Sequence, residues 1–195
     1  MNCKMNRFMI IFFRVLFCVL LPFVLLLLSY KITVGLWHWT STQEKVIDFL
    51  YHAQDFEGAT ALEMFHLNDV RLVMNKADWF FWISLACLMF IVGSNFQDKK
   101  ELRKMSLYGG IATVCFISLF VFGAIFGFGW LFTRFHLVFF PQGNWLFSYD
   151  SFLIHNFSFE FFEKISILIF LLTFLWGSLF IGIALYLKYG IIKNH

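Results

Sequence analysis

Four long apolar stretches constrain this chain more than any other feature. Residues 8–30, 79–96, 105–130 and 165–187 are each long enough, or nearly so, to cross a hydrocarbon core of about 30 Å, which takes roughly 20 helical residues. Composition points the same way: 61% of residues are hydrophobic, 14% are charged and the mean hydropathy is +0.77. Those values lie outside the usage of soluble globular domains. The fold class expected is all-α: a polytopic membrane protein with four transmembrane helices in one bundle over residues 1–195, with no Pro/Gly/Ser-rich linker marking a second domain. Thirty phenylalanines give bulk to the bundle and to its lipid face.

Lys4 and Arg7 precede the first stretch as they would in a signal peptide, but no small-x-small cleavage site follows, so the segment reads as a retained anchor. Pro22 is expected to kink it, and Arg14, one to two turns inside, to snorkel towards the cytoplasmic interface. Cytoplasmic loops retain Lys and Arg. Lys4, Arg7, Lys99, Lys100, Arg103, Lys104, Lys188 and Lys193 fall on one side if both termini are cytoplasmic. That leaves segments 31–78 and 131–164 extracytoplasmic, with ten of the twelve acidic residues and His38, His52, His66, His136 and His155. The net charge of +3 is then a signal of membrane topology in a plasma-membrane protein and gives no reason to invoke nucleic acid. Cys18, Cys87 and Cys115 fall within three stretches and Cys3 in the tail, with no CxxC motif, so packing is their expected role.

The two outer segments are patterned. Val46, Phe49, Leu50 and Ala53 recur at helical spacing, with Ser41 or Thr42 as the expected cap. Gly58 breaks the pattern, and Thr60 with Glu63 forms a capping-box signature that restarts a helix. On that helix Glu63 and Asp69 can both flank His66. In the second segment Arg134 and His136 adjoin the apolar run 137–140, and PQGN at 141–144 is a turn signal before Trp145, so the expected path dips into the membrane and returns. Tryptophans 37, 39, 79, 82, 130 and 145 make an aromatic belt at the outer interface. Asp150 is either a supporting residue of the site or a cap on the entry to the fourth stretch.

Both segments contain the tripeptide Phe-His-Leu, FHLNDV at 65–70 and FHLVFF at 135–140. With the run EMFHLNDVR at 63–71, FHLVFFPQGNWLF at 135–147, and Asp150 with Leu153 and Ile154, the chain resembles the lipoprotein intramolecular transacylases, small bacterial membrane proteins of four spans. The family pattern commonly has a Pro after the Leu-Ile element; here Ser158 occupies that region and His155 is the neighbour. The resemblance implies an enzyme that moves the sn-2 acyl chain of a diacylglyceryl lipoprotein to the α-amino group of its N-terminal cysteine, giving the lyso-form. His66 and His136 would be the catalytic pair, with Glu63, Asp69, Arg71, Arg134, Asn144, Trp145 and Asp150 supporting or positioning. The partners implied are diacylglyceryl-modified lipoproteins and membrane lipid, at no defined oligomeric state.

The chemistry suits the residues. An α-amine of pKa about 7.7–8.0 is little more than a unit above imidazole at about 6.5, so a histidine is a matched base for it. A second imidazole supplies the proton that the glycerol oxygen needs to leave. Backbone amides near Gly143, Asn144, Trp145 and Arg134 are the available oxyanion donors. The carboxylates near His66 favour it as base and His136 as acid, with the reverse assignment open. Ester to amide is downhill, which agrees with the absence of a phosphate-binding motif, and neither a metal nor an organic cofactor is indicated. Two other readings remain: a metal-dependent membrane hydrolase using His66, Asp69 and His136 as ligands, and a non-catalytic membrane scaffold.

Overall fold

A computed structural model describes residues 6–193, with side chains through Lys188. Cys3, Lys4 and His195, and the side chain of Lys193, lie outside the described residues. Seven helices account for the secondary structure of the described residues: α1 (Arg7–Leu36), α2 (Ser41–His52), α3 (Ala61–Ser94), α4 (Lys99–Ile125), α5 (Phe128–Phe139), α6 (Phe152–Asn156) and α7 (Phe159–Lys193). Among the described residues, α1, α3, α4 and α7 are long and apolar enough to cross a membrane. The fold is that of an all-helical, multi-pass membrane protein.

The chain divides into two compact units, and the four long helices each contribute to both. The first comprises the chain up to Lys31, Phe81–Leu119 and the chain from Ile169. Its core sets Phe17, Leu21, Val24 and Leu25 of α1 against Phe81, Leu88 and Ile91 of α3 and Met105 of α4. Small residues let backbones approach, as membrane helix packing favours. A Cβ on Gly110 of α4 would lie 2.7 Å from the Gly177 carbonyl oxygen of α7. Buried hydroxyls are satisfied on backbone carbonyls: Ser29 on Leu25, Thr113 on Gly109 and Thr173 on Ile169, while Ser106 donates across to Phe180 at 2.7 Å.

Two features of α1 repay comparison with the sequence. The helix continues through Pro22, whose missing N–H leaves the Cys18 carbonyl without its intrahelical donor. Arg14 reaches the first turn of α4. Its guanidinium pairs with Glu101 of α4, which is buried and takes Lys104 on its other oxygen at 2.6 Å. A partner 87 residues away is invisible to periodicity. Cys18, Cys87 and Cys115 are free thiols, with Cys18 and Cys87 half-buried and Cys115 exposed.

The second unit comprises Ile32–Phe80 and Phe120–Leu168. Here α2 is amphipathic as its spacing predicts, burying Val46, Phe49 and Leu50 against Leu67 of α3, Leu153 of α6 and Phe157. Burying one such side chain from water stabilises by about 1.5–3 kcal/mol. The cap is Thr40 rather than Ser41 or Thr42, because Gln43 at the third helical position returns its own side chain to the Thr40 N–H. Ala53 is exposed and left-handed at φ 59°, so it ends the helix instead of extending the buried stripe. The Thr60–Glu63 capping box forms and opens α3, which then runs unbroken to Ser94. Helix α4 stops at Ile125, and Gly127 at φ 116° turns the chain into α5, so that Trp130 belongs to a separate helix. Ser151 caps α6 and Ser158 caps α7, leaving Asp150 out of both caps.

Candidate active site

Two helices of the second unit bring the Phe-His-Leu motifs together. His66 lies in the second turn of α3 and His136 in the last turn of α5, both buried, with ring centroids 6.2 Å apart and planes inclined by 26°. Both helices are placed by ordinary signals: the capping box fixes where α3 starts, and Gly127 fixes where α5 starts. The imidazoles are walled by aromatic rings. Phe140 meets His66 edge-on at 4.9 Å and Phe147 does so at 5.6 Å. Phe132 lies 4.0 Å and the Trp145 indole 4.8 Å from His136.

The tautomer of His136 is set by its own helix. Its Nδ1 lies 2.8 Å from the Phe132 carbonyl oxygen, and since a carbonyl only accepts, Nδ1 carries the proton and Nε2 keeps its lone pair. Burial among apolar rings pushes the His136 pKa below the ordinary histidine value, and the Phe132 carbonyl opposes that shift more weakly. At neutral pH it is an uncharged imidazole with Nε2 available to take a proton.

The loop after α5 is fastened to α3 through Asp69. One carboxylate oxygen accepts from the Gln142 amide at 2.7 Å and from the Asn144 amide at 2.7 Å. The PQGN run makes the predicted turn, closed by the Gly143 N–H on the Phe140 carbonyl at 3.1 Å, with Gly143 at φ 80°. Asn144 also stands beside His66. Three buried polar atoms here lack a partner within hydrogen-bond distance: His66 Nδ1, Asn144 Oδ1 and Trp145 Nε1. Buried polar atoms are rarely left unpaired, so these three form a polar patch inside the aromatic wall.

Not every residue picked from sequence joins this cluster. Glu63 does not flank the His66 ring. It is almost wholly buried, accepts from the Thr60 N–H and hydroxyl at 2.8 Å each, and takes the Leu153 N–H of α6 at 2.9 Å. Arg71 lies over the Phe49 ring at 5.8 Å, towards α2, and Arg134 is exposed over the Trp130 ring at 5.6 Å. Asp150 is exposed on an open groove of about 530 Å³ between residues 58–63 and 146–156, of which Phe147 also touches His66. Gln142 was not expected, because in sequence it reads only as part of a turn; its proximity to Asp69 depends on where α5 ends. Among the described residues no group of three His, Cys, Asp or Glu side chains is placed to hold a metal ion, so His66, Asp69 and His136 do not form a ligand set.

Known structures share this fold. No curated protein matches the chain significantly. Among solved structures it is similar to the membrane integral lipoprotein intramolecular transacylase Lit from Bacillus cereus, with a TM-score of 0.86, 18% identity, and coverage of 96% of this chain and 100% of that one. It is also similar to a variant of that protein with one histidine replaced by arginine, at a TM-score of 0.78 and 17% identity, covering 96% and 95% of the two chains. At such identities the likeness is one of fold. The family model for lipoprotein intramolecular transacylase Lit matches residues 42–162, which include both Phe-His-Leu motifs, the capping box and the Asp69-anchored loop. The chain belongs to the lipoprotein intramolecular transacylase family.

Proposed function

We propose that this membrane-embedded transacylase moves the sn-2 acyl chain of a diacylglyceryl lipoprotein to the α-amino group of its own N-terminal cysteine through His66 and His136, at the extracytoplasmic face of the plasma membrane. The observation that carries the reading is the pair of buried imidazoles 6.2 Å apart, walled by aromatic rings and bordered by unpaired polar atoms. The distribution of Lys and Arg supports the placement, with both termini cytoplasmic.

The neutral amine attacks the ester carbonyl carbon. As the N–C bond forms, nitrogen gives its proton to His136 Nε2, the nitrogen that the Phe132 contact leaves free. The Trp145 N–H, buried and unpaired beside His136, is available as a donor for the oxyanion. The bond to the glycerol oxygen then breaks, and the proton taken up by His136 passes by way of His66 Nε2 to that oxygen. Both imidazoles end uncharged, as they began, so no net proton is consumed. His136 is thus the base and His66 the acid, the reverse of the roles suggested by the flanking carboxylates alone, because His136 Nε2 is bare at rest; burial and the neighbouring His136 hold His66 below the ordinary histidine value, with Asp69 opposing more weakly, so it too rests uncharged. Since amine and ester belong to one lipidated cysteine, holding them close supplies much of the rate.

The test is mass spectrometry of a model lipoprotein's N-terminal peptide from bacteria expressing the wild type, His66→Ala or His136→Ala. The expected result is unchanged total acyl mass with one chain newly amide-linked, lost in both variants. Amide-linked product from either alanine variant at the wild-type level would overturn the two-histidine mechanism.

A further inference from the structure

The Asp69 carboxylate reaches further than the loop it fastens. A carboxylate oxygen accepts hydrogen bonds, so the 2.7 Å contact from Asn144 fixes which end of that amide faces Asp69: the NH2 group points to the carboxylate and Oδ1 points away. Gln142 donates to the same oxygen and holds the loop from the other side of the turn. Asn144 Oδ1 and His66 Nδ1 are both buried, both without a partner at hydrogen-bond distance, and they belong to residues that stand against one another. One is an acceptor. Pairing the two satisfies both atoms at once, and it does so only if His66 carries its proton on Nδ1.

We propose that Asp69 is a positioning residue that fixes the tautomer of His66 through Asn144: the carboxylate orients the amide, the amide oxygen accepts a hydrogen bond from Nδ1–H, and Nε2 is left as the atom that exchanges protons with the substrate. The proposal rests on the two-histidine reading above and gives it a symmetry. His136 is held by a backbone carbonyl on Nδ1, His66 by a side-chain carbonyl on Nδ1, and both turn Nε2 to the reaction. The titratable groups about His66 are His136 from α5 and Asp69 from its own helix; the Glu63 carboxylate is taken up by Thr60 and Leu153. Replacing Asp69 with Asn removes the constraint, because an amide there can also donate, and Asn144 is free to turn its NH2 towards the ring.

The experiment is ring nitrogen NMR of the full-length protein labelled with 15N-histidine in detergent, the His66 signals being those missing from His66→Gln. In the wild type, neutral His66 is expected with a protonated Nδ1 and a bare Nε2. In Asp69→Asn the signals move towards the opposite tautomer, kcat falls about 10–100-fold, the usual effect of losing such a support, and KM holds. Asn144→Leu gives the same loss without an amide to reorient. The wild-type spectrum decides even where a variant fails to fold: a protonated Nε2 with a bare Nδ1 on His66 overturns the proposal. So does Asp69→Asn with unchanged tautomer and kcat while His66→Gln is inactive. Wild-type turnover by His66→Gln would instead overturn the two-histidine mechanism itself, and the catalytic role of Asp69 with it.

Discussion

At the scale of single residues, the two histidines differ in how their protons are held, and for His136 this has a consequence for stability. Unfolded, its imidazole titrates at about 6.5; folded, it titrates lower because burial disfavours the charged form. The unfolded chain therefore binds the proton that the native state refuses. Its contribution to native stability is complete above about pH 6.5 and is lost as the pH falls from there through the folded value. The expected outcome is an unfolding temperature in detergent that declines on acidification, with a shallower decline in His136→Gln. Equal acid slopes for the two proteins would show that His136 is not the group responsible. The histidines themselves were legible in sequence, because a repeated tripeptide in otherwise lipid-compatible segments stands out. What Glu63 does was half legible: the capping box showed in the Thr60–Glu63 spacing, but the second oxygen goes to a backbone N–H 90 residues away, and no local pattern encodes that.

Among the elements, α6 and the start of α3 are fastened by that same Glu63 side chain. Glu63→Ala removes the acceptor for the Leu153 N–H and both Thr60 donors. Leaving a buried donor unpaired costs about 1–3 kcal/mol. The variant should unfold at lower temperature by that measure, whereas Arg71→Gln, which loses only a contact over the Phe49 ring, should change little. Comparable losses in the two would sink the assignment. The starts of α2 and α3 were readable to within a residue or two, whereas α4 and α7 start at Lys99 and Phe159, well ahead of the apolar stretches at 105 and 165. Thr40 displaced its neighbours as cap of α2 because Gln43 completes a reciprocal pair with it, a sequence signal hidden by the more obvious Ser41-Thr42. The break between α4 and α5 was less readable, since Phe126 and Phe128 continue the apolar run on either side of Gly127 and hydropathy alone runs straight through.

Over the whole molecule, hydropathy announces a four-helix membrane protein but not the surfaces by which its helices touch. Arg14 illustrates the gap: alone in an apolar stretch it suggests an interfacial side chain, and only the fold supplies Glu101. Gly110 is similar, an unremarkable residue of α4 whose Cβ would meet the Gly177 carbonyl at 2.7 Å and Ile181 at 2.9 Å. Gly110→Val should cost about 1–3 kcal/mol by overpacking. Gly93→Ala, with open space around it, should instead gain about 0.5–1 kcal/mol from helix propensity. Thermal unfolding of the pair checks both signs, and a Gly110→Val protein as stable as the wild type would mean that α4 and α7 do not approach so closely.

The aromatic wall about the imidazoles bears on fidelity as well as on proton transfer. An ester attacked next to a histidine has two fates, aminolysis and hydrolysis, and water is the more abundant nucleophile. Phe132, Phe140, Phe147 and Trp145 cover the rings so that both histidines are nearly inaccessible to solvent. Under the proposed mechanism, that enclosure makes the tethered amine the better-placed competitor and keeps the acyl chain on the lipoprotein instead of releasing it as a free fatty acid.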